Sequence, residues 1–203
     1  RDCLLSRGLG DVYKRQVRKS DSMKVISGKY KGRNLQGFDI VGTRPTMDRV
    51  KESLFAMIQT WLNDAVVLDL FAGSGNLGIE ALSQGAKYAY LVDKNRKAYR
   101  VIQNNISNLG ACDVSVCCMD YRRALNEFSD AGLTFDIIFL DPPYQTDFVA
   151  KSIIDIMDFH LLSSSGIIVA ESDKLEKIIY PSTLEIVKSK KYGDKWVAIL
   201  RRV

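Results

Sequence analysis

Residues 66–82, VVLDLFAGSGNLGIEAL, constrain the fold more than any other part of the chain. An apolar run rich in large side chains enters Gly73-Ser74-Gly75-Asn76-Leu77-Gly78, and a second apolar run with helical character leaves it. A strand that turns on glycines into a helix is the opening unit of a parallel α/β sheet. In such sheets the ligand lies at the carboxyl ends of the strands, and glycines let the backbone approach it. The spacing G-x-G-x-x-G suits a dinucleotide pyrophosphate, and it also suits a turn that holds S-adenosylmethionine (SAM). The choice between them decides the reaction.

The rest of the chain repeats the unit. Candidate strands are 66–71, 88–93, 114–119, 136–141 and 166–172, with helices after the first four, which predicts a mostly parallel sheet covered on both faces. Two further strands, 183–190 and 196–202, flank a turn at Tyr192-Gly193-Asp194 and predict an antiparallel C-terminal hairpin. Upstream, residues 23–40 alternate around Gly28 and Gly32 as a small β-hairpin. Pro45 then opens a helix whose apolar face is Met47, Val50, Leu54, Met57, Ile58 and Trp61. Residues 1–22 lack periodicity and read as a disordered tail or an artefact ahead of Met23. The expected divisions are therefore 1–22, an N-terminal extension at 23–62 (hairpin and helix), and a cofactor-binding domain at 63–203.

Charge is unevenly spread. Residues 1–22 carry six Lys/Arg against three Asp, residues 23–60 seven against three acids, and residues 61–203 sixteen against eighteen, which gives the net +5. A near-neutral body with a basic N-terminal region points to a polyanion held at one edge. Cys3, Cys112, Cys117 and Cys118 have no zinc-binding spacing and predict free buried or half-buried thiols, with no metal site. His160, the one histidine, falls at a helix end. No stretch approaches the roughly 18–20 apolar residues of a membrane span, and a cytoplasmic location is expected.

Three features favour SAM over a dinucleotide. Asp69 stands within the end of the first strand, where a carboxylate complements a sulfonium and an ammonium and would repel a pyrophosphate. Asp120, after the third strand, is placed to accept from an adenine amino group. Asp141-Pro142-Pro143-Tyr144 follows the fourth strand and supplies what a planar exocyclic amine requires. The Asp141 carboxylate and Pro142 carbonyl accept its hydrogens, the two prolines stiffen the loop, and Tyr144 stacks on the ring. Asp93, ending YLVD, receives ribose hydroxyls with either cofactor.

The segments SGKYKGRNL, GTRPTMDRVKESLF, VLDLFAGSGNLGIEALSQGA, LVDKN and FDIIFLDPPY, in that order and spacing, resemble the bacterial RsmD family of 16S ribosomal RNA guanine-N2 methyltransferases, over about residues 24–203. The resemblance implies a Rossmann-like class I methyltransferase sheet that uses SAM and leaves S-adenosylhomocysteine. It implies a methionine end at Asp69, Gly73, Ser74 and Gly75, a ribose contact at Asp93, and an adenine contact at Met119 and Asp120. Asp141, Pro142, Pro143 and Tyr144 would hold the guanine, and Arg44 and Thr46 would border the site. Lys24, Lys29, Lys31, Arg33, Arg44 and Arg49 would hold RNA phosphates around a base drawn out of its stack. The partner would be 16S RNA or an assembling small subunit, met by a monomer. Asn76 departs from the smaller residue usual in the family, and YGDKWVAIL from its more usual Thr-containing ending. Another RNA or DNA base N-methyltransferase, or an RNA-binding assembly protein without activity, fits many of the same residues; an NAD-dependent oxidoreductase fits fewer.

Overall fold

A computed structural model describes residues 23–37, 48–143 and 147–203. The readings made for residues 1–22, for Pro45 and Met47, and for Arg44, Thr46 and Tyr144 lie outside the described residues. Five parallel strands form the centre: β3 (Val66–Asp69), β4 (Tyr88–Val92), β5 (Val114–Cys117), β6 (Phe135–Leu140) and β7 (Leu162–Ser172). The strands β8 (Leu184–Tyr192) and β9 (Lys195–Arg202) complete the sheet as the antiparallel hairpin. The strand order is β5-β4-β3-β6-β7-β9-β8. Its reversal falls between β3 and β6, so the crevice for a ligand opens at the carboxyl ends of those two strands.

The helices are α1 (Asp48–Leu62), α2 (Asn76–Ser83), α3 (Arg96–Leu109), α4 (Tyr121–Asp130) and α5 (Phe148–Asp158). Two short strands, β1 (Met23–Lys24) and β2 (Asn34–Leu35), pair antiparallel. Strand limits differ from the sequence reading in one consistent way. β3, β4, β5 and β6 stop one or two residues early, and β7 starts four residues earlier than predicted.

The two cores follow from strand periodicity. On one face Val67, Ile137, Phe139, Ile167, Val169, Val197 and Ile199 pack against α1, α2 and the N-terminal hairpin; on the other, Leu68, Ile138, Leu140, Ile168 and Leu200 pack against α4 and α5. The buried stripe of α1 is Lys51, Leu54, Phe55, Ile58 and Leu62, whereas Val50, Met57 and Trp61 are only half-buried. The predicted apolar face was therefore rotated, since it left out the lysine at its centre. Cys112 and Cys118 are exposed and Cys117 half-buried, so the expectation of buried thiols fails at the first two, which stand in or beside turns.

Lys51 joins three elements. Its Nζ donates to the Lys24 carbonyl (2.6 Å) and Asn76 Oδ1 (2.8 Å) and pairs with Glu80 Oε2 at 2.8 Å, both charged side chains having no exposed surface. Glu80 also accepts from the amides of Ile26 and Ser27 (2.9 and 3.0 Å). The hairpin sits so close to α2 that a Cβ on Gly28, at φ +80°, would lie 1.7 Å from the Ser83 carbonyl oxygen. Breaking a buried ion pair by removing one partner typically costs about 3–5 kcal/mol. Glu80→Ala is expected to lose that much stability in urea unfolding and to expose the amides of Ile26 and Ser27 to rapid hydrogen exchange. Exchange at wild-type rates would show that the hairpin is held by apolar packing alone.

Candidate cofactor and methyl-acceptor site

The glycine turn is built from backbone geometry that only glycine adopts readily. Gly73 and Gly75 have φ of +57° and +79°, and Gly75 opens α2 in the left-handed conformation. Gly78 serves packing, since a Cβ there would lie 2.1 Å from Leu91 Cδ2 on β4. Asn105 of α3, almost fully buried, donates to the Ser74 carbonyl (3.0 Å) and the Gln36 carbonyl (3.1 Å) and accepts from the Gln36 amide (2.8 Å). This side chain fixes the turn to the N-terminal segment.

Two carboxylates brace the turn from below and beside. Asp69 is buried, and its Oδ2 accepts from the Gly78 amide at 3.1 Å. Burial raises its pKa to about 7; the Gly78 amide opposes the shift, and the Asp141 and Asp93 carboxylates add to it. Asp93 accepts from the amides of Gly73 (2.9 Å) and Asn95 (2.8 Å), with burial pushing its carboxyl up against both. Ser74 and Gly75 are buried in the turn, and Gly73 is half-exposed. Met119 is half-buried; Asp120 is exposed and caps α4 by accepting from the Arg122 amide at 3.0 Å. All seven stand at or just past the carboxyl ends of β3, β4 and β5, and Asp69 and Asp120 also accept from amides in the first turns of α2 and α4.

The residues expected to hold the methyl acceptor follow β6. Pro142 is buried, Pro143 exposed, and the Asp141 side chain 24% exposed. The Phe148 ring at the start of α5 stacks on Phe71 with centroids 6.1 Å apart. Beside Asp141 stand two groups that sequence reasoning missed. Lys195 Nζ lies 3.0 Å from Glu171 Oε2 and 3.9 Å from Asp141 Oδ1. Glu171 ends an alternation with Ile167 and Val169, as Asp69 does with Val67 and Lys195 with Val197, so all three face the α1 side of the sheet. That alternation was the signal that could have found them. Burial, with Asp141 and Asp69 nearby, pushes Glu171 well above the usual carboxylate range.

The predicted phosphate contacts occupy a different surface. Lys24, Lys29, Lys31, Arg33 and Arg49 are exposed, all but Arg49 on the N-terminal hairpin. The Arg33 guanidinium already donates to the Asn108 carbonyl at the end of α3, at 2.5 Å.

Residues 23–201 match the model of the family described as Conserved hypothetical protein 95. The chain is 40% identical to the putative rRNA methyltransferase YlbH of Bacillus subtilis over 184 residues, covering 89% of this chain and 99% of that protein. The chain belongs to the RsmD family of methyltransferases. The ribosomal RNA small subunit methyltransferase D of Escherichia coli is 34% identical over 154 residues, 76% of each protein. Among solved structures, the putative methyltransferase yhhF of Escherichia coli superposes with a TM-score of 0.77 at 28% identity, covering 89% of this chain and 98% of that one. A conserved hypothetical protein of Streptococcus pyogenes does so with 0.68 at 39%, covering 76% and 96%.

The enzyme uses SAM, and its donor set fits that molecule. The Asp69 carboxylate, buried beside the glycine turn, suits a cation and repels a pyrophosphate. An acid whose folded pKa exceeds its unfolded value costs stability once ionised. The cofactor-free protein should therefore lose stability as pH rises from about 4 through about 7, the interval between the two values for Asp69. Asp93 and Glu171 act with the same sign. Urea unfolding at pH 5.5 and 8.5, without SAM, should show a smaller decline for Asp69→Asn than for wild type. An equal decline would mean that Asp69 ionises without cost in the folded chain.

Proposed function

We propose that the protein transfers the methyl group of SAM to the exocyclic N2 amine of a guanine in small-subunit ribosomal RNA. The observation that carries the reading is the Asp141-Pro142-Pro143 segment at the carboxyl end of β6, the strand next to β3, from whose carboxyl end the Gly73 turn leaves. The ribosomal RNA substrate follows the names of the relatives from Bacillus subtilis and Escherichia coli.

The N2 lone pair of guanine is delocalised into the ring, so the amine is a weak nucleophile. Bound SAM supplies an electrophilic methyl group on a sulfonium, and no metal is required for that chemistry. The chain must align the amine and polarise it. Holding reactants in attack geometry is worth roughly 7–11 kcal/mol. The Asp141 carboxylate and the Pro142 carbonyl accept the two amine hydrogens, which draws the nitrogen towards a tetrahedral form as its new bond grows. Tyr144 stacks on the ring, and the buried Pro142 stiffens the loop against the sheet. A base in a helix cannot enter such a crevice, so the guanine is drawn out of its stack at a cost of a few kcal/mol. The hairpin and α1 cations Lys24, Lys29, Lys31, Arg33 and Arg49, with Arg44, then hold the flanking phosphates.

Asp141 strengthens its hydrogen bond as the amine pyramidalises, so its contribution belongs to the transition state. Asp141→Ala should lower the single-turnover rate at saturating SAM and RNA by roughly 10²-fold or more. Its SAM and RNA affinities should stay near wild type. Tyr144→Ala should lose about 1–3 kcal/mol of base stacking, and Tyr144→Phe should keep most of the activity. Near-normal transfer by Asp141→Ala would remove the loop from the chemistry. A Phe variant as impaired as the Ala variant would replace stacking with a role for the hydroxyl.

A further inference from the structure

Glu171 belongs to none of the roles above, yet its surroundings are those of a ligand contact. Its side chain is 1% exposed; Oε2 is held by the Lys195 ammonium at 3.0 Å, while Oε1 is buried with no hydrogen-bond partner among the described residues. A buried acceptor left in that state is unfavourable, and a donor brought to it relieves the cost. The same ammonium lies 3.9 Å from Asp141 Oδ1, so the two carboxylates flank one lysine. Exposure falls from 24% at Asp141 to 15% at Lys195 and 1% at Glu171, so the cluster runs from the partly exposed Asp141 into the interior of the protein.

Guanine presents two neighbouring donors on its pairing edge, the N2 amine and the ring N1–H. Adenine and 2,6-diaminopurine present a lone pair at N1. We propose that Glu171 is a specificity-determining residue whose Oε1 accepts the ring N1–H of the target guanine while Asp141 accepts from its N2 amine. The inference rests on the guanine reading given above. An edge that enters with its amine at Asp141 carries the next donor inward, towards the unpartnered oxygen. Lys195 is a positioning residue: by occupying Oε2 it leaves Oε1 for the base. A site built to receive a donor rejects an analogue that lacks it far more strongly than a merely apolar pocket would.

The test compares two RNAs that differ at the mapped target position, one with guanosine and one with 2,6-diaminopurine riboside, which keeps the N2 amine and replaces N1–H by a lone pair. Wild-type protein should prefer guanosine by roughly 10²-fold or more in kcat/KM. Glu171→Gln, whose amide can donate to the N1 lone pair, should reduce that preference at least tenfold. Its SAM affinity by calorimetric titration should stay within about twofold of wild type, which also reports that the variant is folded. Equal use of the two RNAs by wild type overturns the proposal whether or not the variant folds. An unchanged preference in Glu171→Gln overturns it too, and a tenfold loss of SAM affinity alongside that result would assign the residue to the cofactor. If wild type methylates neither RNA while binding SAM, the guanine reading itself has failed, a result separable from equal use.

Discussion

A lysine with no exposed surface needs partners for its charge, and the arrangement around Lys51 ties α2, which leaves the glycine turn, to α1 and the N-terminal segment. Its ammonium touches the N-terminal segment at Lys24, the start of α2 at Asn76, and Glu80 one turn further along α2. Glu80 in turn takes two amides of the segment after β1. One network therefore fixes α1, α2 and the hairpin to each other. Because α2 leaves directly from the glycine turn, any displacement of this network would move Gly73 and Gly75. The network demands closure: a buried ion pair stabilises little against an apolar alternative but is costly to break, so it acts mainly to specify one arrangement.

The second constraint is the two-residue period of the strands. β3, β7 and β9 place valines inward, and two positions nearer the crevice the same face carries Asp69, Glu171 and Lys195, with Asp141 just past β6 beside them. The apolar core thus turns into a charged row without any change of backbone geometry. Burial first, with the neighbouring carboxylates adding to it, raises the pKa of Asp69 and Glu171. Folding accepts those shifts at the edge where a cationic cofactor and a donor-rich base edge can offset them, as strained or frustrated groups tend to gather at functional sites.

Much of this was legible in the residues themselves. The glycine turn, the alternation of strand and helix and the final hairpin each rest on local chemistry that a short window contains. What escaped is non-local. Lys51 is one lysine among many until α1 is seen with Leu54, Phe55 and Ile58 on the same stripe, and its partner Glu80 is on another helix. Asn105 reads as a surface residue of an amphipathic helix, yet it clamps Ser74 and Gln36. The pairing of Glu171 with Lys195 depends on β9 lying next to β7, an adjacency that no local pattern encodes. Asp120 was expected as an adenine contact, and the structure shows it as the cap of α4, a role that depends on where the helix begins.

The central claim is that these residues direct a methyl group to one atom of one base. The most direct measurement is transfer from isotopically labelled SAM to unmodified small-subunit RNA, as free RNA and in assembled subunits, followed by nuclease digestion and mass spectrometry of the nucleosides. The account predicts label in N2-methylguanosine at a single position. Label on a ring nitrogen, on adenine, on a ribose hydroxyl or on no nucleoside at all would contradict it.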